Sequence, residues 1–313
     1  MLRLVCSEFE EFEEALAGVS GRYLLTARPE RDWRLRAVEL DGVTLLCGQD
    51  AAGNLYQASC DRDRYALFVP LGCAELLAVN GQQLHRTSAA WLTPGPEFHI
   101  RSAASTRWLT VLMSAGAVDD MMEASHDRML AKASTAGARV GAASPASLAR
   151  IIEFARCAVR TVSGPMTPGT VPAEAIRTHL LHCVLAVLDS MPSPESTHRG
   201  RPRVLRPEVV DHALDAIDQS LDQPLPVGRL CQVTGVSART LHSIFMEQFG
   251  MSPHQYIVSR RLHAIHSVLR HAGREETVSG ICSRFGVWDF GRFAQAYRHR
   301  FGRAPSETLL RGH

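Results

Sequence analysis

The sequence predicts an α+β chain of two domains: a β-rich N-terminal barrel with its own helices, then an all-α domain carrying two helix-turn-helix motifs. Three observations lead there. Short alternating apolar runs recur between turn residues from about Trp33 to Met113. The stretch PSPESTHRGRPRVLRP at 192–207 carries four prolines and no periodicity, as a linker does. Beyond it, the pattern of residues 227–253 returns at 278–305. At 313 residues the chain is long enough for two hydrophobic cores.

The first element expected is a helix over the acidic segment Glu8 to Leu16. The start of the chain turns acidic too soon for a signal peptide, and no apolar run approaches the roughly 18 residues that span a bilayer. A soluble, cytoplasmic protein without membrane contact is therefore expected. Next come the runs WRLRAVEL, VTLLCG, RYALFVPL, AELLAVNG, AAWLTPG, FHIRS and RWLTVLM. Breaks at Asp41-Gly42, Gly53-Asn54, Asn80-Gly81 and Pro94-Gly95-Pro96 have tight-turn chemistry. Many short strands so spaced predict a sandwich or barrel over 30–115, a small jelly roll.

After Met113 the period becomes helical, and residues 116–191 are expected to be helical, with amphipathic helices at 145–162 and 171–191. In the second, Ile176, Leu180, Val184, Val187 and Met191 form one stripe that Leu181, Leu185 and Leu188 widen. Two readings stay open: packing on the domain's own sheet, or a homodimer seam through 171–191.

Charge is distributed unevenly. Residues 1–198 carry 18 basic and 22 acidic side chains, whereas 199–313 carry 16 and 10, all sixteen cations being arginine. A basic module joined to an acidic one points to a polyanion partner for the basic half. In the repeat, Val227, Leu230, Cys231 and Gly235 match Val278, Ile281, Cys282 and Gly286. Leu241, Phe245, Phe249-Gly250 and Pro253 match Phe293, Tyr297, Phe301-Gly302 and Pro305, with one residue inserted after the second glycine. Each copy reads as a short helix, a glycine turn, a second helix and a glycine-proline stop, with Ser237 and Asp289 as N-caps. Phe293, Tyr297 and Phe301 fall on one helical face and should be core, with Phe290 closing it. Arg292, Gln295, Arg298 and His299 should then face outward.

The segments GVSARTLHSIF, FGMSP, YIVSRRLHAIHSVL and FAQAYRHRFGRAPSETL resemble the DNA-binding domain of AraC-type (AraC/XylS family) transcription regulators. The resemblance covers about a third of the chain. Cys231 and Cys282 stand in place of the usual alanines and Val287 in place of a phenylalanine. It implies seven helices, with a central helix over about 253–270 setting the two motifs one DNA turn apart. Carried over, it implies base readers Arg239, His242 and Ser243 in the first motif and Trp288, Gly291, Arg292 and Gln295 in the second. Arg292 suits guanine and Gln295 adenine, while Arg239 could grip phosphate and Trp288 could cover the motif's core. Arg261 is expected to be structural. The stretch FGVWDFGRFAQAYRHRFGRAPSETL further resembles the branch containing ethanolamine-utilisation regulators.

By the same resemblance the domains are a cupin-like effector-binding and dimerisation domain at 1–191, the linker at 192–207 and the DNA-binding domain at 208–313. The implied partners are double-stranded DNA and a small-molecule effector in the barrel, with RNA polymerase admitted as a third. Activation is implied over repression. The rival expectation is a cupin-like metal-binding or small-molecule enzyme with a DNA-binding tail. PGPEFH resembles part of a cupin metal motif, but the region that should supply H-x-H lacks histidine and His85 stands alone, so His99 is expected to line a pocket or sit satisfied in the barrel. No metal, no cofactor and no catalytic set is expected. The arginines at 199, 201, 203 and 206 admit a solvated linker, a phosphate contact or part of a nucleotide site. The eight cysteines lack metal spacing and read as reduced, mostly buried thiols.

Overall fold

The computed structural model of the protein describes residues 2–16, 18–123, 137–163, 172–192, 206–273 and 275–311. Most of the segment read as a linker, with Arg199, Arg201, Arg203 and the Arg206 side chain, lies outside the described residues. The chain divides into two compact units. One is Met1–Tyr23, Glu30–Ala52 and Tyr56–Arg199; the other is Leu24–Pro29, Gly53–Leu55 and Gly200–His313.

The first unit opens with β1 (Leu2–Cys6), α1 (Phe9–Glu14) and β2 (Val19–Leu25). The central strands are β3 (Trp33–Leu40), β4 (Val43–Gln49), β5 (Asn54–Cys60), β6 (Arg64–Pro70), β7 (Leu77–Val79) and β8 (Gln82–Gln83). They continue with β9 (Ser88–Leu92), β10 (Phe98–Ser102) and β11 (Arg107–Ser114). After α2 (Ala115–Glu123) come β12 (Ala138–Ala142), α3 (Pro145–Ser163) and α4 (Ala173–Ser190). The strands pair as two sheets, a seven-stranded one in the order β1-β3-β4-β11-β6-β9-β12 and a five-stranded one in the order β2-β5-β10-β7-β8.

Strand periodicity assigns the two faces of the larger sheet. On one face, rings from both sheets and α1 interlock: Phe12 lies 5.1 Å from Trp33 and 6.2 Å from Trp108, and Tyr23 stacks on Tyr56 at 4.5 Å. The room for Trp108 comes from Gly48 across the ladder, where a Cβ would lie 2.1 Å from the indole ring. Buried Asp50 accepts hydrogen bonds from Trp108 Nε1 (3.1 Å), Thr106 Oγ1 (3.0 Å) and Ser102 Oγ (3.2 Å), which offsets the cost of taking a carboxylate out of water.

On the other face, Val38, Leu45, Leu109 and Val111 pack against α3 and α4 in one apolar cluster. The α4 stripe belongs to that cluster: Ile176, Leu180, Leu181, Val184, Val187 and Leu188 are all buried against the unit's own sheet and helices. The exposed positions of α4 are small or polar: Ala173, Glu174, Ala175, Thr178, His179, His182 and Asp189.

Sequence periodicity passed over five strands, one of them the two-residue β8 (Gln82–Gln83). β1 precedes the acidic helix, and β2 and β12 fall outside 30–115. β5 carries polar residues that are nonetheless buried, Asn54 and Gln57, Gln57 donating to Glu97 Oε2 at 2.8 Å.

Cys73 and Cys157 are exposed rather than buried. His99 is buried on β10, where desolvation and then Arg22 hold its ring well down, at about 4. Among the described residues no group of three or more His, Cys, Asp or Glu is arranged to hold a metal ion.

Candidate nucleic-acid interface

In the second unit, α5 (Arg206–Asp218), α6 (Val227–Thr234), α7 (Ala238–Phe249) and α8 (Pro253–Arg270) precede α9 (Val278–Arg284), α10 (Phe290–Phe301) and α11 (Pro305–Arg311). Among the described residues this matches the seven helices that the resemblance implied. Both repeats close in the same way. Gly235 and Gly286 end α6 and the turn after α9 at φ of 67° and 66°, in the left-handed region that favours glycine. Crowding is not the reason: a Cβ at Gly235 would meet nothing within 4 Å, and at Gly286 only the Asp222 carbonyl at 3.6 Å.

Each second helix then starts on a side-chain cap. Ser237 Oγ accepts from the Thr240 amide (3.2 Å) and Asp289 Oδ1 from the Arg292 amide (3.0 Å). Ser237 follows its glycine by two positions and Asp289 by three, so the inserted residue lies in the turn and leaves the helices intact.

Helical spacing sorts each recognition helix into two faces. On α7, Leu241, Ile244, Phe245 and Phe249 are buried, with Phe245 edge-on to Phe249 (5.1 Å) and to Tyr256 of α8 (5.6 Å). Arg239, His242 and Ser243 are exposed on the opposite face, and Met246, one turn on, extends it. On α10, Phe293, Tyr297 and Phe301 are buried. Tyr297 donates to Thr308 Oγ1 at 2.8 Å and is hydrogen-bonded to His266 Nδ1, and His266 stacks on Phe301 at 4.0 Å. Gly291, Arg292, Gln295, Arg298 and His299 face outward. Trp288 is 74% exposed just before the cap, so it does not cover the core. Phe290 is 40% exposed and does not close the core as its spacing had suggested.

The shared support is α8. It opens with a capping box between Ser252 and Gln255 and has Pro253 in its first turn. Its 18 residues span about 27 Å. Arg260 pairs with Asp218 at 2.6 Å. Arg261 donates to the carbonyls of Leu221 (2.9 Å) and Gln223 (2.6 Å), which ties down the turn after α5 and makes it structural.

Buried titratable groups give this unit an acid limit. His263 is held well down, at about 3, first by burial, while its hydrogen bond to the Ser259 carbonyl opposes the shift and Arg300 adds to it. A histidine depressed in the folded state is neutral there and charges on unfolding. Its contribution is therefore complete above the unfolded value of about 6.5 and is lost as pH falls toward the folded value. The unfolding free energy from urea titration is expected to drop steadily between pH 6.5 and 4.5, by up to about 1.4 kcal/mol per pH unit for His263. Burial also pushes the Cys282 thiol up to about 11, so it is a core residue and not a reactive thiolate.

Met246 and His299 were absent from the base readers expected at the outset. Both follow from the same count of exposed positions three, four and seven residues along the helix. Both are exposed on the same faces as the expected readers.

Residues 230–311 match the family described as a helix-turn-helix domain. The chain is 32% identical over 138 residues to the probable thc operon regulatory protein of Rhodococcus erythropolis, covering 43% of this chain and 41% of that one. It is 30% identical over 127 residues to the XylDLEGF operon transcriptional activator of Pseudomonas putida, covering 40% and 38%. Among solved structures, a probable AraC family transcriptional regulator from Rhodopseudomonas palustris is 30% identical, covers 34% of this chain and 97% of its own, and superposes with a TM-score of 0.32. The chain thus spans about two fifths of the length of the curated relatives it matches.

Proposed function

We propose, from the premise that this chain belongs through its C-terminal domain to the AraC-type family of helix-turn-helix regulators, that it is a sequence-specific transcription regulator. It acts as an activator under the control of a small-molecule effector held by the N-terminal domain. The observation that carries this reading is the duplicated exposed face, Arg239-His242-Ser243 on α7 and Gly291-Arg292-Gln295 on α10. Each face is anchored by a buried apolar and aromatic row on the opposite side, within the basic part of the chain. The recognition helices enter successive major grooves on one side of the duplex.

In this reading 1–191 is the sensing domain, 192–207 the linker and 208–313 the DNA-binding domain of a cytoplasmic protein that is not an enzyme. A homodimer through 171–191 would use the polar residue set left exposed on α4, because its apolar stripe is buried internally. Sedimentation at micromolar concentration, with His182→Glu as a disrupting variant, tests that arrangement. The effector must favour one arrangement of the protein by differential affinity, since equal binding to both shifts nothing. RNA polymerase is the further partner of an activator.

Binding of the purified chain to labelled DNA from upstream of its own coding sequence, at 50 and 200 mM salt, tests the reading. One site should be preferred at both salts, and affinity should fall by orders of magnitude between them as counterions are released. Salt-sensitive binding with no preferred sequence, in the presence of a library of small metabolites, would overturn it.

A further inference from the structure

We propose that the effector is a small molecule carrying at least two anionic groups, phosphate or carboxylate. Its site lies on the helix-facing side of the larger sheet and not between the two sheets. The effector role rests on the regulator reading above; the site itself does not.

The cavity is wholly within the first unit, between β3, β4, β11 and α3, and measures about 780 Å³, within the range of small-molecule pockets. Strand alternation builds its floor. Arg34 and Arg36 point to the same side of β3 as Val38 and Leu40, and those two are buried in the apolar cluster beneath the helices. The face that is a core at one end of the strand is therefore lined with guanidiniums at the other. Across the ladder Arg34 is opposite Gln49, Gln49 is opposite Arg107, and Arg36 is opposite Cys47. Two strand spacings set the Arg34 and Arg107 backbones about 10 Å apart. The roof is α3, where Glu153, Arg156, Cys157 and Arg160 line the cavity at helical spacing.

Charge argues for an anion. Five arginines face one glutamate in this cavity, in the part of the chain that is otherwise net acidic. Among the described residues none of the five has a carboxylate within ion-pair distance; Arg160 donates only to Cys157 Sγ, at 3.4 Å. Like charges sharing one groove repel, more weakly beyond a Debye length of ~8 Å at physiological salt, and a bound anion relieves that repulsion. Guanidiniums arriving from two walls suit bidentate capture of two separate anionic groups. Between the sheets, by contrast, the rings of Phe12, Tyr23, Trp33 and Tyr56 interlock.

Titration calorimetry of the full chain with pyrophosphate, and separately with citrate, tests the site against sodium chloride at matched ionic strength. One of the two should bind saturably at one site, and which one does assigns phosphate or polycarboxylate chemistry. Binding should weaken at least tenfold in Arg156→Gln/Arg160→Gln and in Arg34→Gln/Arg107→Gln. It should tighten severalfold in Glu153→Gln, a gain that a purely structural role would not produce. All these side chains but Glu153 are cationic surface groups, so the variants should keep the wild-type circular dichroism and melting temperature. Binding by neither anion beyond the chloride control, or equal affinity in the double variants, overturns the site. The bound anion should also change affinity for the preferred DNA site at least fivefold in wild type and not in Arg156→Gln/Arg160→Gln; binding without that change overturns the effector role. If the protein prefers no DNA sequence at all, the regulator reading fails while the calorimetry still decides the site.

Discussion

Arg292→Ala is expected to flatten the protein's preference at one base pair of its site while leaving binding to unrelated DNA close to wild type. The side chain stands on the exposed face of α10, one turn from a helix end that Asp289 caps through the Arg292 amide (3.0 Å). That cap uses the backbone, so truncating the side chain leaves the helix start intact. A guanidinium reading guanine through two hydrogen bonds contributes about 1–3 kcal/mol of discrimination, roughly 5- to 150-fold. Arg298, two turns into the same helix and also exposed, provides the contrast. Its removal should weaken binding to all sequences alike and reduce the salt slope by about one, as loss of a phosphate contact does. Competition binding against a set of sites substituted at each position separates the two. Equal loss of affinity on every sequence for Arg292→Ala would remove it from the readers.

Phe245→Ala should cost the second unit about 3–5 kcal/mol, the range for deleting a buried phenylalanine. The ring is 0% exposed and meets Phe249 and Tyr256 edge-on at 5.1 and 5.6 Å. It also lies in one cluster with Leu214 and Ile217 of α5 and Leu230 of α6. The cavity left behind would be walled by three helices and the tyrosine, so collapse can recover little of the loss. A loss of that size is a large fraction of a domain's stability. Urea unfolding followed by tyrosine and tryptophan fluorescence should show the transition of this unit moving to lower denaturant. DNA binding should be lost at temperatures where the first unit is still folded. A shift smaller than about 1 kcal/mol would mean that the α5–α8 core can repack around the gap.

The two halves were unequally legible in the sequence. In α7 and α10 one period decides most positions: apolar residues every three or four positions go inside, and Arg239, Arg292, Gln295 and Arg298 stay out, while Arg300 turns inward and donates to Ser259 Oγ at 2.8 Å. The repeat then confirms each position against its twin, down to the caps. Phe290 escaped that logic because it sits at the first helical position, before the period has a core to face. The first unit was harder. β5 carries Asn54 and Gln57 at buried positions whose hydrogen-bond partners come from elsewhere in the fold, so alternation could not mark it. The basic cavity was invisible for a different reason. Arg34, Arg36, Arg107, Arg156 and Arg160 lie on two strands and a helix far apart in sequence, and only cross-strand register brings them to one place.

The turn that precedes α10 is one residue longer than the turn that precedes α7, and the two exposed faces carry different side chains. A single chain thus presents two unlike readers in a fixed order, with no two-fold axis relating them. In the proposed reading, the DNA site therefore has a left end and a right end. A regulator of this kind is set on the duplex with a heading, and turning its site around relative to the start of transcription is a different instruction, even when every base pair is kept.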